Sequence, residues 1–336
     1  MSAAFWKGCE MKLGIAEAEA FATAVFMRHN VSAANSASVA RALVAAECDG
    51  LGSHGLSRLK AYAEQALAGK VDGHAAPVAV RTAKAAVRVD ALDGFAFPAI
   101  AAGLAMAETM ARDAGIVALA VANSHHCGVA GHHVEWLAQR GLIGLMFANS
   151  PGAMAPWGGS SPTFGTNPIA FAAPRAGAAP LVVDLGLSKV ARGKVMLARQ
   201  KGEPIPEGWA LDARGRPTTD ADAALAGTML PLGDAKGAAL ALMVEILAAT
   251  LTGSNHAYEA SSFFDAKGPA PRVGQLILAI DPAAFGGAGF SARIEALLGH
   301  VLGQAGTRLP GDRRLAARAK ARAEGIEVAA EVRALG

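Results

Sequence analysis

No charged residue stands between Gly141 and Pro174, and that one run narrows the possible folds more than any other part of the chain. The run is longer than the roughly 20 residues of a membrane helix. Yet it carries six glycines, five prolines and the two asparagines Asn149 and Asn167. A bilayer has no water to satisfy the backbone groups that such residues release, and a soluble helix tolerates interior proline little better. Short buried strands joined by tight turns remain. The apolar pieces at residues 143–147 and 169–172 read as the strands. The turns are Asn149-Ser150-Pro151, Ala155-Pro156-Trp157-Gly158-Gly159 and Phe164-Gly165-Thr166-Asn167-Pro168. Thr166 and Asn167 supply neutral donors and acceptors that suit a polar ligand, or equally that satisfy the backbone of the turns themselves.

On either side of this run the hydrophobic period switches between helix and strand. An apolar stripe through Ile15, Phe21, Val25 and His29 predicts a helix; Ser32 caps a second one reaching Cys48, and a third covers residues 56–68. From Val78 onward strands and helices alternate: strands at 87–90, 116–121, 143–147, 169–172, 181–183 and 275–280, helices at 98–114, 129–140, 190–199 and 236–251. Residues 201–222 read as a polar loop, and two helices at 291–302 and 311–324 close the chain. The spacing predicts a mixed α/β protein with a partly antiparallel sheet. With 336 residues, 52% of them hydrophobic, two domains fit better than one. We expect a helical domain at 11–75, joined by the C-terminal helices of 290–336, and an α/β cofactor- and substrate-binding domain at 76–289.

Charge and cysteine content restrict the partners. The net charge of +3 is small, and the only dense basic stretch, residues 313–322, is interleaved with Leu and Ala as on a helix, so neither nucleic acid nor an anionic membrane is an expected partner. Cys9, Cys48 and Cys127 include no C-x-x-C pair, which points to a reduced, cytoplasmic chain. The apolar stretch Ala3-Ala4-Phe5-Trp6 is interrupted by Lys7 and Glu10 before a secretory signal could form, and Met11 is an alternative start.

Besides those turns, three places carry residues suited to chemistry. In Ser53-His54-Gly55-Leu56-Ser57-Arg58, a histidine and a guanidinium four residues apart could protonate a carbonyl oxygen and clamp a carboxylate, or be an ordinary i, i+4 surface pair. His125, His126, His132 and His133 lie close together, but no H-E-x-x-H or cysteine pair accompanies them. Neighbours on a helix point about 100° apart, which argues for a non-metal role. That cluster falls between a predicted strand and a predicted helix, where loop amides can receive phosphate. Lys236 follows Gly233-Asp234-Ala235 at a helix start, a potential anion site without a Walker motif. The letters G-x-G-x-x-G occur at residues 50–55, but between two helices rather than after a strand, so a Rossmann turn is not expected. No G-x-S-x-G elbow supports a serine hydrolase.

With these residues in view, the chain resembles the malate/L-lactate dehydrogenase family of NAD(P)-dependent oxidoreductases, a group unrelated in fold to the common malate and lactate dehydrogenases. That group includes sulfolactate and ureidoglycolate dehydrogenases, diketogulonate reductase and the cyclic ketimine reductases. The resemblance rests on Ser53-His54-Gly55 with Arg58, Asn123-Ser124-His125-His126 with Gly128, the turns at 155–159 and 164–168, Val183-Asp184, Lys236-Gly237 and Leu309-Pro310-Gly311-Asp312-Arg313. It implies a non-Rossmann, sulfolactate dehydrogenase-like α/β fold with a largely antiparallel or mixed sheet flanked by helices, and a homodimer. It also implies His54 as proton donor and acceptor with Ser53 beside it, and Arg58 and Thr166 as substrate contacts. The implied contacts to NAD or NADP are His126, Cys127, Gly128, Val129, Ala130, Asp184, Leu185, Gly186, Lys236, Pro310, Gly311, Asp312, Arg313 and Arg314; no metal is implied. The expected substrate is a small 2-oxo or 2-hydroxy acid, the alternative a cyclic imino acid such as piperideine- or pyrroline-2-carboxylate. The ketimine reductases carry an His-Gly-Asp element where this chain has Arg192-Gly193-Lys194, which favours the hydroxy acid; the C-terminal half resembles the ketimine branch. Asp234-Ala235 stands where relatives often have Gly-His, which leaves both coenzymes open. A non-catalytic binding protein of this fold and a metal-dependent hydrolase are the competing classes.

Overall fold

A computed structural model describes residues 12–336. Cys9, the 3–6 stretch with Lys7 and Glu10, and Met11 lie outside the described residues. After a two-residue strand β1 (Lys12–Leu13) come helices α1 (Ile15–Arg28) and α2 (Ala33–Cys48). Ser32 caps α2 as its sequence position predicts, its hydroxyl accepting from the Asn35 N–H at 3.3 Å. The third helix, α3 (Leu59–Leu67), starts later than the spacing suggests, because two 3₁₀ turns, Gly52–His54 and Leu56–Arg58, precede it.

The next segment supplies most of a seven-stranded sheet: β2 (Val78–Ala83), β3 (Ala86–Asp90), helix α4 (Ala96–Ala114), β4 (Ile116–Ser124), helix α5 (Ala130–Ala138), β5 (Ile143–Ala148), β6 (Ile169–Ala173) and β7 (Leu181–Leu185). Pro98 lies within the first turn of α4 rather than starting the helix, a place where its missing N–H costs little. Then follow α6 (Arg192–Lys201), β8 (Ala210–Leu211), β9 (Pro217–Thr218), α7 (Ala221–Ala226), β10 (Thr228–Met229) and α8 (Ala235–Glu245). The region read as a polar loop therefore contains strands, which join β10 in a small sheet of order β10-β8-β9. Two-residue strands are too short for alternation to reveal. The predicted long helix also divides: α8 passes at Glu245 into a π-helical turn, Ile246–Thr250. The chain ends with β11 (Val273–Ile280), α9 (Ala283–Gly286), α10 (Phe290–Leu302), α11 (Asp312–Glu324), β12 (Ile326–Glu327) and α12 (Ala330–Arg333).

The main sheet has the order β2-β3-β4-β11-β5-β6-β7. Only β3 and β4 run parallel; every other neighbouring pair is antiparallel, so the fold is the expected mixed, largely antiparallel α/β arrangement. Strand alternation separates two cores. Val117, Leu119 and Val121 of β4 meet α4 and α5 on one face. Ala118 and Ala120 turn to the other, where Phe147, Leu276 and the α8 residues Ala241 and Val244 pack. A third core holds Phe26, Leu43, Leu59 and Tyr62 from the first helices together with Ala321, Ile326 and Val332 from the end of the chain. The antiparallel pairing of β1 with β12 closes that unit. Helix α10 contributes nothing to this core; its Glu295 is held instead by both ends of the Arg175 fork, at 2.9 and 2.8 Å. No helix among the described residues is long and apolar enough to cross a membrane.

Candidate active site

The turns after α2, the loop before α5, the uncharged run and the start of α11 enclose one cavity of about 1230 Å³. Its shape begins with a glycine. At Gly55 a Cβ would lie 2.2 Å from Oε2 of Glu47, and Glu47 uses that oxygen to accept the Leu56 N–H at 2.9 Å. The chain therefore turns at Gly55 instead of continuing as a helix, which removes the surface-pair reading of His54 and Arg58. The Arg58 Nε donates to the Ser53 carbonyl at 2.7 Å, and its Cζ stands 4.3 Å over the Phe264 ring. Both terminal nitrogens of that guanidinium are left without a carboxylate among the described residues. His54 Nδ1 lies 3.0 Å from the Ser53 hydroxyl. Burial first, and then the positive charges of Arg58 and His132, push the imidazole down to about 4.

The four clustered histidines go to four different partners. His125 Nε2 meets Gln65 Oε1 at 2.9 Å, His126 Nδ1 meets the Tyr62 hydroxyl, His132 Nε2 meets Asp49 at 2.8 Å, and His133 Nε2 meets the Cys127 carbonyl at 2.9 Å. Among the described residues no three His, Cys, Asp or Glu side chains are grouped as a metal ion requires. Instead the loop 126–130 lines the cavity with Gly131. Gly128 has φ +69°, and a Cβ there would come within 2.8 Å of the Phe97 ring. The cavity-facing Asp184 accepts the Gly131 N–H at 2.7 Å, tying the end of β7 to the start of α5. Its carboxyl is raised by desolvation from the surrounding atoms, against the pull of that hydrogen bond. Cys127 is a buried thiol pushed up to about 12 by burial, then by Asp184, and is not a nucleophile.

The asparagines of the uncharged run converge on one buried carboxylate. Glu245 accepts from Asn149 Nδ2 at 3.1 Å, from Asn167 Nδ2 at 2.7 Å and from the Ala257 N–H at 2.7 Å. This fixes Asn167, which holds φ +39°, and so sets Thr166 on the cavity wall, where its N–H donates to the Ser150 hydroxyl at 3.1 Å. Asn167 thus serves the turns, while Thr166 faces the space a ligand would use. The Ala155–Gly159 turn does not reach the cavity, and Trp157 is 57% exposed.

A group that sequence spacing gives no means of finding closes the other end. Asp49 and Glu135, both buried, hold Arg314 and Arg318 of α11 through hydrogen bonds of 2.6 to 3.2 Å. Burial alone would raise the Asp49 carboxyl, but Arg318 and His132 outweigh it and hold it well below the usual range. Arg314 is therefore occupied, and Arg308 and Arg313, beside the Pro310-Gly311 turn, form no ion pair among the described residues. Loop amides at the start of α5 and these arginines form a donor set that fits the phosphates of a dinucleotide, in a cavity larger than a small acid alone needs. Of the expected contacts, Leu185 and Asp312 do not line the cavity, and Lys236 stands exposed on α8, outside the cavity of its own chain.

The family model described as malate/L-lactate dehydrogenase matches residues 13–335. The chain is 57% identical to the (2R)-3-sulfolactate dehydrogenase (NADP(+)) of Chromohalobacter salexigens, over 94% of each chain. It is 42% identical to the Δ1-pyrroline-2-carboxylate/Δ1-piperideine-2-carboxylate reductase of Pseudomonas putida, over 95% of this chain and 94% of that one. The crystal structure of Δ1-piperideine-2-carboxylate reductase from Pseudomonas syringae pathovar tomato superposes with a TM-score of 0.92 at 39% identity, over 97% of this chain and 100% of the other.

Proposed function

This chain belongs to the malate/L-lactate dehydrogenase family, and from that premise we propose that it is an NAD(P)-dependent oxidoreductase interconverting a small 2-oxo acid and its 2-hydroxy acid in the cavity described above. The observation that carries the reading is the juxtaposition of a half-buried, neutral His54 with an Arg58 whose terminal nitrogens have no acid partner among the described residues. A nicotinamide coenzyme held in this cavity would supply the hydride chemistry at the carbon that bears the oxygen.

The chain's own residues do the rest. Arg58 binds the substrate carboxylate with its free nitrogens, and Thr166 contributes a hydroxyl to the same ligand. With Nδ1–H donating to the Ser53 hydroxyl, the Nε2 lone pair of His54 is left for the substrate oxygen. In oxidation His54 accepts the hydroxyl proton as the C–H bond breaks and the C=O bond forms; in reduction it returns that proton as the C=O bond becomes C–O. The coenzyme would be held by the 126–130 loop, Asp184, Gly186, the Pro310-Gly311 turn and Arg313.

The depressed imidazole sets the pH dependence. Its neutral form predominates above about 4, so kcat/KM for oxidation should keep no acidic limb until pH falls toward that value. Reduction needs the protonated form, and its kcat/KM should fall as pH rises from 6 to 9. An oxidation profile with an acidic limb near 6.5 would mean that His54 is not held in this way.

A cyclic imine reductase is the second reading, supported by the likeness to the ketimine reductases and opposed by Lys194, which stands where the resemblance to that branch implies an acid. The test is absorbance at the reduced nicotinamide band with NADH and NADPH against pyruvate, oxaloacetate, a bulkier 2-oxo acid and the two cyclic imine carboxylates. Turnover of an oxo acid supports the reading, turnover of an imine alone replaces it, and silence with both coenzymes returns the chain to a binding role.

We further infer a homodimer in the cytoplasm. Leu240 and Met243 follow Lys236 at i+4 and i+7 on α8, and with Ile246 they leave an apolar surface exposed next to the one basic residue among the expected coenzyme contacts that does not line the cavity. Light scattering that returned a monomer at micromolar concentration would remove this inference.

A further inference from the structure

Lys70 is buried to its tip, with only 1% of its side chain exposed. Its ammonium donates to the carbonyls of Ser262, Asp265 and Lys267 at 2.6, 3.0 and 2.7 Å, so that all three of its hydrogens find an acceptor, while the Asp265 carboxylate stands 4.0 Å off. Gln65, fully buried near the end of α3, donates to the Phe263 carbonyl at 2.9 Å and meets His125 with its oxygen. Those four carbonyls belong to one loop. Residues 256–271 contain no helix or strand, and Asn255 closes their neck: its N–H donates to the Arg272 carbonyl at 2.8 Å and its amide to that of Pro271 at 3.1 Å, the form of an Ω-loop. The clamp thus joins the end of α3 to the loop, and the loop reaches back to the start of the same helix, where Arg58 stands at the N-cap.

A buried ammonium is costly unless its hydrogen bonds are made, and an apolar side chain would fill this end of α3 as well. What the lysine adds is the hold on the loop. Between the clamped carbonyls lies Phe264, which is 43% exposed and enters none of the three cores. Its ring covers the Arg58 guanidinium at 4.3 Å while the Ser53 carbonyl takes the Arg58 Nε, so ring and carbonyl together fix the plane of the fork on the cavity wall. We propose that Lys70 is a positioning residue for the substrate carboxylate: by clamping residues 262–267 it holds the Phe264 ring against Arg58 and keeps the guanidinium oriented for a bidentate grip on the acid. The proposal deepens the function proposed above and rests on Arg58 as the carboxylate site.

Steady-state kinetics with the best substrate of the panel above, every member of which carries a carboxylate, tests it. Lys70→Met should raise the substrate KM by about 10- to 100-fold and leave kcat and the coenzyme KM near those of the parent. Phe264→Ala should do the same, and the double variant should lose no more than the worse single one, because both act through one guanidinium. Lys70→Arg keeps the charge and the donors and should retain most of the affinity. Trypsin reads the loop itself: the bond after Lys267 should be cut faster in Lys70→Met than in the parent. Oxamate, which bears the carboxylate and is not reduced, gives the affinity comparison by calorimetry with NADH or NADPH bound, whether or not any substrate turns over. A Lys70→Met enzyme with parental KM and oxamate affinity overturns the proposal, as does one whose loss multiplies with that of Phe264→Ala, falls on the coenzyme, or consists of a lowered unfolding temperature alone. Should Lys70→Met not fold, Phe264→Ala and Lys70→Arg decide: affinity lost in the first and largely kept in the second upholds the proposal, and parental affinity in the first overturns it. An Arg58→Met enzyme that binds oxamate as tightly as the parent sinks the carboxylate reading and this proposal with it; a loss in Arg58→Met with none in Lys70→Met sinks this proposal alone.

Discussion

His54→Ala is expected to lower kcat/KM by about 10²- to 10⁴-fold in both reaction directions, the usual contribution of a positioned general acid–base. The loss should fall on kcat rather than on KM, because the substrate carboxylate stays with Arg58 and only proton transfer is removed. The variant should also flatten the pH dependence of reduction between pH 6 and 9. Circular dichroism and thermal unfolding should remain close to those of the parent, since His54 contacts Ser53 and the His126 ring without entering a core. Ser53→Ala should do less, as it removes a partner that orients the ring and not the ring itself. A His54→Ala enzyme with parental kinetics would end the assignment.

Asp49→Ala is expected to destabilise the protein by about 3 to 5 kcal/mol, the cost of removing one member of a buried charge group and stranding the others. Asp49 is fully buried, and its loss would take away the carboxylate that His132 meets and leave the two arginines sharing Glu135 alone. The linkage has a definite sign. The folded-state pKa of Asp49 lies below the unfolded value of about 3.9, so its contribution is complete above that value and is lost as pH falls through the lower, folded one. Denaturant unfolding at pH 7 and pH 3 measures both effects, and the parent-minus-variant difference should shrink at the acid end. A variant as stable as the parent at pH 7 would show that the group is dispensable. The same substitution should raise the coenzyme KM, because α11 carries Gly311 and Arg313 to the cavity and is anchored there by Arg314 and Arg318.

Much of this was legible in the chain. Period and caps located α1, α2, α4 and the strands β3 to β7 and β11, because the buried faces of those elements repeat. Family motifs singled out His54, Arg58, Thr166 and the 126–130 loop, all of which line one cavity. Leu185 did not follow its neighbour: strand alternation sends Asp184 to the cavity and the next residue to the opposite face. The Asp49–Glu135–Arg318 group escaped notice because its members come from three helices and nothing local marks them as partners. The same holds for Tyr62 and Phe264, apolar residues by type whose function arises only from what they touch. Glu47 shows the reverse case, a half-buried acid whose place leaves room only for glycine at position 55.

The position of β11 bears on how the molecule is made. This strand ends at residue 280, yet it is the centre of the sheet, flanked by β4 and β5. While the ribosome has issued only the first 272 residues, β2–β4 and β5–β7 are two separate ribbons, each with an open edge waiting for the same missing partner. The cavity cannot be assembled before that partner emerges, and the pairings it makes are distant in sequence, which slows folding. The nascent protein therefore passes through a long interval with two unpaired, apolar edges, a state that invites association with other chains and the attention of chaperones.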